Sequence, residues 1–119
     1  MVLVDTSIWV QHLRNGEDRL SQLLEAGQVV CHPLIIGELA CGNLKNRAEI
    51  LTLLHALPQA TMVENEEALY FIDSHQLMGT GIGIVDVHLF ASAKLLTLRI
   101  WTSDKPFRDA AKRLELSHG

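Results

Sequence analysis

Four carboxylates stand where their chemistry calls for explanation. Asp5 ends the apolar run VLV, and Asp104 comes just after a second such run, LRIWT. Hydroxyls adjoin both: Thr6 and Ser7 follow Asp5, and Thr102 and Ser103 precede Asp104. An acid at the carboxyl end of a strand lies on the edge where open α/β sheets bind their ligands, although Asp there also serves as a plain helix cap. Glu38 sits inside PLIIGELACG and Asp86 inside GIVDVHLFASA. At helical spacing Glu38 has Leu34, Ile35, Cys41 and Gly42 as neighbours, and Asp86 has Leu89 and Phe90. Both acids are therefore expected on core-facing sides of helices. An unpaired carboxylate is costly there, and no Lys or Arg lies within a helical turn of either.

Four such acids suit one negatively charged pocket. Like charges raise one another's pKa, so the set cannot all be ionised without a counter-charge, and divalent cations supply it. Oxygen ligands with no convergent His or Cys favour Mg²⁺ or Mn²⁺ over Zn²⁺. The six histidines, His12, His32, His55, His75, His88 and His118, show no paired spacing and are expected to be structural or exposed. Trp9 and Trp101 fall in apolar segments and are assigned to the core rather than to base stacking.

Positioning these residues requires strands alternating with helices. Val2–Val4, Gln28–His32, Ala60–Val63 and Leu98–Thr102 read as strands, with a short fifth on an edge at Glu115–His118. A short helix is expected through Ile8, Trp9, Val10 and Leu13, ending before the turn pair Asn15-Gly16, and others from Glu17 to Ala26, from Pro33 to Cys41, around Ile50–Leu57, from Asn65 to about Met78, over Ile84–Leu96, and around Phe107–Leu114. The pattern predicts an α/β sandwich around a mainly parallel sheet of four or five short strands. Gly79, Gly81 and Gly83 form a Gly-x-Gly-x-Gly run, but it follows a helix and lacks a downstream Lys-Ser/Thr, so it reads as a hinge or substrate-side loop and not a phosphate loop.

The 119 residues form one domain, 1–119, with an ordinary hydrophobic content of 48% and a net charge of −4. That charge argues only weakly against a nucleic-acid partner, because bound cations would reverse the local effect of the acids. Cys31 and Cys41 are expected to be buried and reduced, in a cytoplasmic protein. No signal peptide or membrane-length apolar run is seen.

The segments VDTSIWV, IIGELACG, GIVDVHLFASA and WTSDKPF resemble, in order and spacing, the motifs of PIN domains, above all the VapC-like ribonuclease toxins of type II toxin–antitoxin pairs. The resemblance spans the whole chain. It implies a PIN-like α/β/α sandwich with Asp5, Glu38, Asp86 and Asp104 as the acidic site, and Thr6 and Thr102 or Ser103 as supporting hydroxyls. It also implies cleavage of RNA with Mg²⁺ or Mn²⁺, a homodimer, and silencing by a co-encoded antitoxin. With no plausible His pair, the expected reaction is hydrolysis by a metal-activated water, leaving 5′-phosphate and 3′-hydroxyl ends.

Two rival classes fit less well, an aspartyl-phosphate phosphotransfer protein and a non-catalytic module. A haloacid-dehalogenase phosphatase needs Asp-x-Asp after the first strand, where position 7 is serine, and a receiver domain needs an acidic pair and a late lysine that are not evident. A non-catalytic PIN-fold interaction module gains nothing from gathering repelling carboxylates.

Overall fold

The computed structural model describes residues 1–119. Its centre is a parallel sheet of three short strands, β1 (Val2–Val4), β2 (Val29–Val30) and β3 (Arg99–Trp101), in the order β2-β1-β3. Val2 pairs with Val29 and Arg99, and Val4 with Trp101. Except for Arg99, every strand residue is buried, including those that point to opposite faces. Helices must therefore cover both sides of the sheet.

The seven helices are α1 (Thr6–Asn15), α2 (Asp18–Glu25), α3 (Pro33–Cys41), α4 (Arg47–Ala56), α5 (Asn65–His75), α6 (Ile84–Leu96) and α7 (Lys105–Arg113). Local chemistry sets many of their ends. Proline opens α3 and lies in the first turn of α7, and Gly16, at φ 77°, ends α1. The apolar content of α6 is spent on the core: Val87, Leu89, Phe90, Ala91, Ser92 and Ala93 are all buried. Phe90 lies edge-on to Phe107 of α7 at 4.7 Å and parallel to Phe71 of α5 at 6.3 Å, tying three helices together. No helix is long and apolar enough to cross a membrane.

The expected third and fifth strands shrink to single bridges. Gln59 pairs with Cys31, and Ser117 with Ile100, both in parallel sense. Ala60 donates its amide to the Cys31 carbonyl at 2.7 Å. The chain then leaves the sheet, so residues 61–63 form no strand. Helix α5 stops at His75 rather than near Met78, because Gln76 takes a left-handed conformation at φ 54°. Cys31 is buried as expected but Cys41, in the last turn of α3, is exposed; both are free thiols.

Candidate active site

Asp5 is at the N-cap position of α1, yet its side chain does not cap the helix. Its carboxylate instead turns across the sheet edge and is only 7% exposed. Thr102 donates its hydroxyl to Oδ2 at 2.8 Å, and Ser7 donates to the same oxygen at 2.9 Å. These hydroxyls accept in turn from backbone amides of the β3–α7 turn: Ser103 N–H reaches Ser7 Oγ at 3.1 Å, and Asp104 N–H reaches Thr102 Oγ1 at 3.0 Å. Both hydroxyl hydrogens thus point at Asp5, and one of its oxygens is held rigidly by the strand end that also carries Asp104.

Asp104 caps α7, accepting from Phe107 N–H at 3.1 Å through Oδ2, and its side chain is otherwise exposed. Glu38 accepts the Thr6 hydroxyl at 2.7 Å on Oε1. It is not on the core side of α3, as the spacing of its neighbours suggested. Ile35, Ile36 and Leu39 form the buried stripe, and Glu38 projects outward beside Gly37. Cys41 and Gly42, counted among its apolar neighbours, are at the exposed end of the helix.

Asp86, in the first turn of α6, draws the four together. Burial raises its pKa to about 6, the charge of Asp5 adds to the rise, the Gly83 backbone amide opposes it, and Asp104 and Glu38 raise it further. One carboxylate thus senses all three others. Neither ion pair of the chain, Arg19–Glu17 and Lys105–Asp109, involves any of them. Part of the repulsion is offset by backbone, since Asp5, Asp86 and Asp104 all stand at helix N-termini.

The donor set fits a hard divalent cation: all oxygen, uncompensated, and with Asp5, Glu38 and Asp104 each anchored through one oxygen only. No three His, Cys, Asp or Glu side chains are closed into a ligand cluster.

Of the three hydroxyl residues expected beside the acids, two bond a carboxylate through the hydroxyl and the third does not. Thr102 holds Asp5, Thr6 holds Glu38, and Ser103 contributes its backbone amide. Ser7, the second hydroxyl after Asp5, also belongs to this network. Its place two residues after Asp5 was the available signal, because a serine there can reach back to the carboxylate. The glycine run lies beside α7. Gly81, at φ 85°, takes a left-handed conformation that favours glycine, and it lies against Pro106. On the other side, a groove of about 570 Å³ starts at Thr6 and Glu38 and passes Arg14 and Lys45.

The PIN domain model matches residues 2–113. The chain is 43% identical over 111 residues to Ribonuclease VapC32 of Mycobacterium tuberculosis, in two strains, covering 92% of this chain and 90% of that protein. Similar folds occur in a toxin–antitoxin complex from Klebsiella pneumoniae (TM-score 0.66, 20% identity, 88% of each chain) and in FitAcB from Neisseria gonorrhoeae (TM-score 0.65, 20% identity, 94% of each chain). A strand-end aspartate shared with α6 and α7 acids on this fold, together with these matches, places the chain in the PIN-domain family.

Proposed function

We propose that this protein is a Mg²⁺- or Mn²⁺-dependent endoribonuclease, acting in the cytoplasm as the toxin of a toxin–antitoxin pair, with Asp5, Glu38, Asp86 and Asp104 as its catalytic acids. The observation that carries the reading is Asp86, whose carboxyl is pushed up by burial and by the other three acids with no Lys or Arg paired to any of them. A pure binding module has no use for that arrangement. The kinship with Ribonuclease VapC32 supports RNA as the substrate.

Asp5, Asp86 and Asp104 would hold the ion, with Glu38 as a further ligand or as an orienting group. Bound there, the cation supplies a Lewis acid that lowers the pKa of the attacking water and offsets charge on the phosphate. Thr102 and Ser7 fix Asp5 so that its orientation does not change when the repulsion is relieved. Thr6 restrains Glu38 at the pocket mouth. None of the six imidazoles hydrogen-bonds to a site carboxylate, and His32 is fully buried. The 2′-hydroxyl therefore lacks the paired acid and base that metal-free cleavage needs. Water attack leaves 5′-phosphate and 3′-hydroxyl ends.

Purified protein should cut RNA with Mg²⁺ or Mn²⁺ and stop in excess chelator, and Asp5→Asn from the same preparation should be inactive. Cyclic 2′,3′-phosphate ends, or cutting that survives the chelator, would sink this mechanism.

The partners follow from charge and shape. The acidic pocket is a dock for an arginine, whose guanidinium pairs well with carboxylates. An antitoxin with a basic or arginine-containing C-terminal tail, encoded next door, should suppress growth inhibition by this chain. The homodimer is supported by the α5–α6 face, where Tyr70 and Leu95 are 74% and 61% exposed. They flank a groove with Glu66 and Glu67 on one wall and Lys94 on the other. A two-fold axis can set the acids of one copy against the lysine of its partner.

A further inference from the structure

Glu38 and Asp86 lie on helices with different neighbours: α3 packs against α1 and α4, and α6 packs against α5 and β3. One buried polar chain joins them. His32 is the N-cap of α3 and is fully buried; its Nδ1 accepts Leu34 N–H at 3.0 Å. Its Nε2 lies 3.1 Å from Ser92 Oγ, in the middle of α6 and also fully buried. Ser92 Oγ donates to the Thr61 carbonyl at 2.7 Å.

Donor counting leaves one arrangement. Nδ1 accepts an amide hydrogen, so the ring proton is on Nε2. The single Ser92 hydroxyl hydrogen goes to Thr61, so Ser92 must accept from His32. The chain therefore runs one way, from Nε2–H to Ser92 Oγ–H to the Thr61 carbonyl. It is the only hydrogen bond between the α3 cap and α6.

Resting on the acidic-site reading above, we propose that His32 and Ser92 are positioning residues for that site: their hydrogen bond sets how Glu38 on α3 stands relative to Asp86 on α6, and so tunes divalent-cation binding. A shift of α3 along or away from α6 must stretch this bond, and both ends are fully buried, out of reach of solvent. Burial, aided by the neighbouring His88, lowers the His32 pKa to about 4. The ring is thus neutral, and the chain intact, at physiological pH.

The cap and the link can be cut separately. His32→Asn keeps a good N-cap acceptor but is too short to reach Ser92. Ser92→Ala removes the link and leaves the cap. His32→Gln keeps a donor near the Nε2 position. Mn²⁺ binding to the full chain without RNA, measured by calorimetry, is the primary readout. His32→Asn and Ser92→Ala should each weaken Mn²⁺ binding about 10-fold, the scale of effect seen when groups supporting metal ligands are lost. The double variant should be no worse than either single variant, and His32→Gln should recover most of the affinity. A core variant with comparable stability loss, Leu20→Ala, should bind Mn²⁺ normally, which separates positioning from general loosening. Wild-type affinity in folded His32→Asn and Ser92→Ala, or additive losses, would overturn the inference alone. Mn²⁺ binding that ignores Asp5→Asn would overturn the site reading and this inference with it.

Discussion

Asp5 is the best-supported side chain of the site, and the support is two hydroxyls primed by two backbone amides. Thr102→Val keeps shape and burial but removes one donor. It should cost about 1–2 kcal/mol of stability and about 10- to 100-fold in cleavage rate, read from denaturant unfolding and single-turnover kinetics. Asp86 makes the complementary prediction, in pH. Its folded pKa, about 6, is above the ordinary 3.8, so between those values the folded state binds more protons than the unfolded one. Stability from this group is full below about pH 4 and is lost as pH rises through 6. In chelator, wild-type protein should lose about 1 kcal/mol over that window relative to Asp86→Asn, after allowing for solvent screening of a partly exposed group. His32 titrates oppositely, since its lowered pKa makes stability rise with pH between about 4 and 6.5. That contribution is common to both proteins and cancels in their difference. A flat difference curve would show that Asp86 is not under the strain described.

At the scale of elements, three helices begin at the pocket, and one of the acids that gather charge there also shapes such a beginning. Asp104 does both jobs at once, capping α7 and contributing to the field on Asp86. The two roles can be parted because Asn caps as well as Asp but carries no charge. Asp104→Asn should leave thermal stability within a few tenths of a kcal/mol and still depress cleavage strongly. Asp104→Ala should depress cleavage and also cost about 1 kcal/mol. Equal destabilisation by both variants would mean that the charge, and not the cap, holds the start of α7.

For the whole molecule, the four acids set a conflict between folding and function. Bringing them together costs stability that a cation bound at the proposed site would restore, so Mg²⁺ or Mn²⁺ should raise the unfolding midpoint by linkage. Asp5→Asn should blunt that response and, in chelator, unfold no earlier than wild type, because it removes one repelling charge. A midpoint that is the same in Mg²⁺, Mn²⁺ and chelator would contradict a shared pocket. The α5–α6 face adds a prediction for assembly. Leu95→Glu places a charge in the proposed interface, opposite Glu66 and Glu67, and should shift the protein to monomer by light scattering while leaving the fold intact.

The sequence by itself determined what short-range chemistry controls. Apolar runs ending in Asp5 and leading to Asp104, the proline at the start of α3, the span Ile84–Leu96 of α6 and the order of strands and helices all follow from propensity, capping and periodicity within a few residues. The order and spacing of four motifs also carried the family, which the PIN domain match over residues 2–113 bears out. Tertiary structure alone decided which groups meet. Thr102 finds Asp5 across 97 residues, and Thr6 finds Glu38 across 32; no local pattern encodes such pairings. It turned Asp5 away from the helix it was placed to cap, set Glu38 outward on a helix whose buried stripe runs through Ile35, Ile36 and Leu39, and cut two expected strands to single bridges. A side chain's neighbours along the chain set its backbone, but its partner is fixed only when distant segments are brought to the same sheet edge.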